Sequence, residues 1–430
     1  MFTTLRNAWK IADLRKKIGF TLLILLVYRL CAVIPVPFIN MDGVVAMYDG
    51  ALKGTILDMF NVMAGNNVYA MANIMALGIQ PYINASIIVQ LLTIAIPALE
   101  RLSKEGGEEG KKTIEKITRY TTIGLGMLMG FAYYVMLTNY NETYGLLGQT
   151  GFLPAVVIIL SFTAGASLVM WLGEQITAHG IGNGISMILF ANILTRIPST
   201  IINPIIDMLW AKWYWALVLV LVTLAVIVFI IFVTQAERRI PVQYAKRTVG
   251  LKVYGGQSSH LPIKVNMSGV MPIIFAQSIA SLPATIAAFC GTNAENGGWW
   301  YKNVFSSTSA IYTIFYLILI VGFSYFYATI QYNPVEVANN LKKNGGFIPG
   351  FRPGRPTSDF IRKVIGKITL FGAIFLGIVA VLPVILGAIT GNTQFSFGGT
   401  SVIIVVSVAL ETVSAIEAQM MMRNYSGFLD

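Results

Sequence analysis

Residues 56–95 read ILDMFNVMAGNNVYAMANIMALGIQPYINASIIVQLLTIA, and within them the apolar signal breaks in two. A short amphipathic piece, about 56–63, runs into Ala64-Gly65-Asn66-Asn67. A full-length apolar helix is then expected from near Asn73, with Pro81 inside it. In hydrocarbon, non-helical backbone is tolerated only where protein or a water-filled cavity surrounds it. The segment is therefore expected to line a cavity.

The surrounding composition is that of a membrane protein. Of 430 residues 56% are hydrophobic and 11% charged, with a mean hydropathy of +0.70, more apolar than a soluble core of this size requires. Apolar stretches long enough to cross about 30 Å of hydrocarbon fall near 20–36, 73–95, 119–138, 152–172, 184–202, 213–233, 268–290, 308–330, 367–390 and 400–421, giving about ten spans. Arg196 and Pro198 shorten 184–202, and charge parity decides it. Lys and Arg crowd into alternate connections: Arg6 to Lys17, Arg101 to Arg119, Arg238 to Lys264, Lys342 to Lys367, and Arg423. The opposite connections hold only Lys53, Arg196, Lys212 and Lys302. The alternation stays in phase only if 184–202 crosses, which puts both termini in the cytoplasm. The net charge of +11 is then mostly a topology signal, with acidic lipid or acidic partners as a second use. Pro35 and Pro37 stand where a signal peptide would carry small cleavage-site residues, so the first span is expected to be retained. Cys31 and Cys290 lie in separate spans and suggest no disulfide framework.

Dividing the ten spans five and five gives halves 1–202 and 203–430, with cytoplasmic loops at about 234–267 and 331–366. In two-half transporters and channels, Gly/Pro-interrupted spans at corresponding positions mark the pathway. The second span of each half qualifies: 73–95 holds Gly78 and Pro81, and 268–290 holds Gly269, Pro272 and Pro283. The same residues also suit kinked packing helices.

Coupled transporters keep ionisable groups near the midplane. Here Arg29, Glu174, Glu411 and Glu417 lie toward span ends, where each can snorkel or pair locally. His179 and His260 have no neighbouring Cys or carboxylate, which argues against a metal site. With no nucleophile and base, phosphate loop or metalloprotease motif, neither enzymatic activity nor a cofactor is expected. Gly180-Ile181-Gly182-Asn183-Gly184 lacks the Lys-Ser/Thr of a phosphate loop and suits a helix cap. The irregular spans instead carry aliphatic residues one turn apart, Ile83 with Ile87 and Ile185 with Leu189, each pair on one helix face. Such pairs are ordinary packing residues unless several helices bring them together. Together they would form a dewetting constriction that holds no permeant group tightly, which suits a long, chemically varied substrate. Three readings compete: a passive channel for such a substrate, a coupled small-molecule transporter, and an insertase or scaffold that never opens across the bilayer.

Two connections carry elaborate turn chemistry. Gln243–Lys252 and Ser258–Lys264 alternate in part around Gly255-Gly256 and suggest a projecting hairpin. After Asn333-Pro334, the pairs Gly345-Gly346, Pro349-Gly350 and Pro353-Gly354 specify successive turns rather than a helix. A positive-inside loop explains the basic residues, and a shaped docking surface explains the turns.

Four motifs carry a resemblance that runs nearly end to end: ALGIQPYINASIIVQLL at 76–92, HGIGNGISMILFANI at 179–193, NPVEVANNLKKNGGFIPGFRPGRPT at 333–357 and FGGTSVIIVVSVALE at 397–411. The chain resembles the SecY family, the central subunits of the bacterial protein-conducting channel. The resemblance implies an all-α polytopic membrane protein with ten transmembrane helices in two pseudo-symmetric halves of five, clamped around a pore that opens across the membrane and sideways into lipid. It implies a pore ring at Ile83, Ile87, Ile185, Leu189, Ile274 and Ile404, Leu189 standing where isoleucine is usual. A plug is implied at about 56–69, including Leu57, Met59, Phe60, Val62, Met63, Gly65 and Asn66. The lateral gate would part spans two and three from seven and eight, eased by the polar Asn84, Gln90, Thr93, Gln277 and Ser278. Arg352 matches a functionally important arginine of the loop where the SecA ATPase or the ribosome docks. Arg238, Arg239, Lys246 and Arg247 are further partner-binding candidates. SecE and SecG subunits, signal-bearing preproteins and membrane lipid complete the implied partners, in the bacterial cytoplasmic membrane, with energy supplied from outside the chain.

Overall fold

The computed structural model describes residues 9–47, 72–197, 213–244, 247–249, 252–254, 258–267, 269–289, 309–390 and 398–426. Its helices are α1 (Ala12–Cys31), a short α2 (Met41–Met47), α3 (Gln80–Ala95), α4 (Pro97–Glu105), α5 (Gly107–Tyr144), α6 (Phe152–His179), α7 (Gly184–Ile197), α8 (Trp213–Gln235), α9 (Met271–Phe289), α10 (Ala310–Gln331), α11 (Pro334–Lys343), α12 (Arg355–Thr390) and α13 (Gly398–Ser426). All except α2, α4 and α11 overlap expected spans. By length and hydropathy α5, α6, α10, α12 and α13 can cross a membrane unaided, α3 and α4 form a pair bent by 105°, and α7, α8 and α9 hold shorter apolar helices.

Span two is not a helix from Asn73 with Pro81 in its interior. Residues 74–79 form turns, α3 starts at Gln80, and Pro81 sits in the first turn, where its missing N–H breaks no helical bond. Span seven starts the same way, with Pro272 directly after Met271. Gly78 (φ 52) and Gly269 (φ 61) each stand two residues before the helix, in the left-handed region that glycine enters without steric cost. Between glycine and helix, Ile79 and Val270 are both fully buried. Gly-Ile-Gln-Pro at 78–81 and Gly-Val-Met-Pro at 269–272 are therefore one local pattern used twice.

The neighbours repeat as well. α3 packs on α5, α5 on α6 and α6 on α7; later in the chain α9 packs on α10, α10 on α12 and α12 on α13. Contacts between the two sets run from α9 to α3 and α5, and from α7 to α13. The division expected at 202–203 lies outside the described residues. α1 and α7 point the same way, since Thr21, midway along α1, bonds Ile181 just ahead of α7, and Tyr28 bonds Asn192 toward the ends of both. Spans one and five thus run in one direction, as the charge parity of the loops requires.

A single close approach fixes the base of span two. A Cβ on Gly165 of α6 would collide with the carbonyl oxygen of Ile74. Gly165→Ala should therefore cost about 2–3 kcal/mol by overpacking, read as a lower thermal midpoint in detergent. An unchanged midpoint would mean that turn 74–79 yields freely.

The basic loops form one unit. The hairpin exists, but its first strand lies earlier than Gln243–Lys252: β1 (Glu237–Tyr244) pairs antiparallel with β4 (Ser258–Lys264), while β2 (Arg247–Val249) and β3 (Lys252–Tyr254) pair separately. β5 (Gly346–Phe347) joins the other edge of β1, tying the second loop to the first. Helices take up part of the stretch 331–366. The Asn333 side chain accepts from Val335 N at 3.2 Å and starts α11, and α12 begins already at Arg355. Turns fall at 344–345, 349–350 and 353–354, where the glycines and prolines specified them.

Candidate functional site

Four helices deliver six aliphatic side chains to one apolar cluster. α3 brings Ile83 and Ile87, α7 brings Ile185 and Leu189, α9 brings Ile274 and α13 brings Ile404; five are 3–4% exposed and Ile185 packs half-buried at the margin. Local chemistry aims α7: Asn183 Oδ1 accepts from Ile185 N at 3.0 Å, capping the helix so that its first two turns carry Ile185 and Leu189. Gly184 N donates to Thr177 Oγ1 at 2.9 Å, and a Cβ there would strike the Gly173 carbonyl of α6. The glycine-rich stretch thus acts as a cap and a close-packing point. The cluster also holds Tyr28, Met75, Ile79, Ile188, Ile193 and Val408. Helical spacing in a chain this rich in Ile and Leu carried no signal for these additional members.

The seam of α9 against α3 and α5 contains polar groups. Ser278 is completely buried with its Oγ unpartnered, while its carbonyl accepts from Ser281 Oγ at 2.9 Å. Gln90 of α3 lies beside Tyr327 of α10, and its Oε1 is buried without a partner. Thr93 Oγ1 donates to Gln90 O at 2.7 Å; Asn84 and Gln277 are half-buried. A buried polar group left unsatisfied costs about 1–3 kcal/mol, so parting this seam sacrifices less than parting an apolar one. Tyr327 was missed because one hydroxyl in an aromatic-rich span leaves no periodic trace.

The ionisable groups of the spans are handled locally. Arg119 Nε meets Glu174 Oε1 at 2.7 Å, and Arg29 donates to Ala191 O at 2.6 Å and Thr195 Oγ1 at 3.0 Å. Glu411 interacts with Lys264, and its Oε1 would be 2.8 Å from a Cβ on Gly269. On the loops, Arg238 and Arg239 are exposed on β1, with Arg239 Nε 2.7 Å from Glu237 Oε1, an exposed pair that contributes little to stability. Arg352 is exposed in a turn whose backbone is held by Thr357 Oγ1 donating to Arg352 O at 2.8 Å. Arg247 lies on β2. Lys246 and the expected plug residues Leu57, Met59, Phe60, Val62, Met63, Gly65 and Asn66 lie outside the described residues. The chain on either side of 48–71 is anchored: Met47 is fully buried, Val36 N donates to Ala72 O at 2.8 Å, and Asn73 Nδ2 donates to Ala32 O.

Fold and site together define a multi-pass, all-α membrane protein whose two sets of helices close over an aliphatic interior. The SecY family model matches residues 73–413. The protein translocase subunit SecY of Bacillus subtilis strain 168 is 43% identical over 441 residues, and that of Streptomyces coelicolor is 42% identical over 446, each alignment covering 100% of both chains. The chain belongs to the SecY family. Its fold is shared with a solved structure of a protein-conducting channel, at a TM-score of 0.67, 17% identity and coverage of 94% of this chain and 92% of that one. Sec61 in a canine ribosome-channel complex from the endoplasmic reticulum gives a TM-score of 0.62 at 16% identity, with 94% and 92% covered.

Proposed function

We propose that this chain is the central subunit of a protein-conducting channel, which passes unfolded, signal-bearing polypeptides across the bacterial cytoplasmic membrane and releases transmembrane segments sideways. The observation that carries this reading is the convergence of Ile83, Ile87, Ile185, Leu189, Ile274 and Ile404 from four helices belonging to both sets. A constriction lined by aliphatic groups excludes water and ions by dewetting, yet binds no side chain strongly enough to retain it. A polypeptide of any composition can therefore slide through once the helices part. In this reading residues 1–202 and 203–430 are pseudo-symmetric halves with both termini cytoplasmic, and the segment at about 56–69 seats as a plug outside the ring. The lateral gate runs along the seam of α3 and α5 with α9 and α10, where Asn84, Gln90, Thr93, Gln277 and Ser278 lower the cost of opening. SecA or the ribosome docks on the joined loops through Arg352 and the basic residues Arg238, Arg239, Lys246 and Arg247. SecE and SecG accompany the chain, and the partner supplies the energy.

The test is reconstitution with a SecE-type subunit and SecA, followed by ATP-dependent uptake of a signal-bearing polypeptide into proteoliposomes. Uptake should require both ATP and the signal. No uptake with demonstrably active components would count against the channel, and proton- or sodium-driven solute uptake by the purified protein would move the assignment to a coupled transporter.

A further inference from the structure

Over the described residues helix α7 has 14 residues, about 21 Å at 1.5 Å per residue, less than the hydrocarbon thickness of about 30 Å. Two of the six ring positions, Ile185 and Leu189, nevertheless sit on it. It packs on α6 and α13, and hydrogen bonds add a tie to α1. Near the start, Ile181 N donates to Thr21 Oγ1 at 3.2 Å. Near the finish, Asn192 Nδ2 donates to Tyr28 OH at 2.9 Å, and Arg29 donates to Ala191 O at 2.6 Å and Thr195 Oγ1 at 3.0 Å. From Thr21 to Arg29 is about 12 Å along α1, so one attachment holds the turn that leads into α7 and the other holds its last turns. A half-buried guanidinium inside a span is a costly choice. Here it places a positive charge against the last turns of α7, where the helix dipole is negative, and one guanidinium nitrogen, Nη2, makes both charge-assisted bonds. On its other side α7 packs against α13, the carrier of Ile404.

We propose that Arg29 is a positioning residue for the constriction: it sets the depth and rotation of α7 so that Ile185 and Leu189 close the ring, and it makes α1 and α7 move as one body when the channel opens. The proposal rests on the ring reading above. Resting ion leak is measured in proteoliposomes holding the complete complex without substrate, together with the thermal midpoint of each variant. Leu189→Ser serves as the control for the ring itself. Arg29→Met, which keeps length and removes the charge, should raise the leak roughly tenfold, the loss of one charged hydrogen bond, at an unchanged midpoint. Arg29→Lys should stay within about twofold of the parent. If Leu189→Ser leaks while Arg29→Met does not, the positioning role is overturned; if neither leaks, the ring reading itself fails. A leak that rises only together with a fallen midpoint, or an Arg29→Lys variant as leaky as Arg29→Met, also overturns it. Should Arg29→Met fail to accumulate, Thr195→Val removes one acceptor alone and should raise the leak about threefold; a parental leak there counts against the proposal.

Discussion

Ile87→Asn combined with Ile274→Asn is expected to raise resting ion leak through the reconstituted channel at least about a hundredfold. Both side chains are 3–4% exposed and come from the two sides of the seam. Burying an isoleucine side chain is worth about 1.5–3 kcal/mol, so losing two removes roughly 3–6 kcal/mol that opposes hydration of the closed constriction. At 1.4 kcal/mol per factor of ten, the hydrated population rises by about 10²–10⁴. The amides also give entering water hydrogen-bond partners, which ends the dewetting that seals an apolar ring. The measurement is conductance in planar bilayers without substrate, with retained folding checked by the thermal midpoint. A parental leak in the well-folded double variant would remove these residues from the barrier.

Arg352→Glu should reduce SecA-driven transport by a factor of ten or more while leaving resting leak and thermal midpoint unchanged. The side chain is exposed, and the turn uses only the backbone of this residue, through the bond from Thr357 Oγ1. Local structure therefore has no stake in the guanidinium. A charged hydrogen bond at a docking surface is worth about 1.5–3 kcal/mol, and reversal adds repulsion where attraction guided encounter. Arg352→Lys should fall between parent and Glu, because an ammonium keeps the charge and loses the planar fork. The check is ATP-dependent uptake at matched protein levels. Undiminished uptake by the Glu variant would take Arg352 out of the docking surface.

How much of this was legible depended on which forces leave traces in a linear text. Hydrocarbon demands long apolar runs and sorts lysine and arginine by side, so a helix was found in each expected span, the shortest of them at 184–197. Turn chemistry was equally plain: each of Gly345, Gly350 and Gly354 has a positive φ in a turn. Pro81 was misread because proline is tolerated in a first turn as well as at a kink, and only the preceding left-handed Gly78 tells the two apart. The start of β1 at Glu237 was hidden because three charged residues, Glu237 to Arg239, run exposed in succession before Ile240 turns in. Burial cannot separate Ile87 from Ile188, since each satisfies the same helical period. The bonds of Arg29 to α7 join residues far apart in the chain, and no local pattern announces such a partnership.

The paired starts at 78–81 and 269–272 have a further consequence. On the proposed topology the same glycine-and-proline root would stand at the outer end of span two and at the cytoplasmic end of span seven. The two walls of the proposed seam would then carry their irregular backbone in opposite leaflets, and neither leaflet would be walled by regular helix alone.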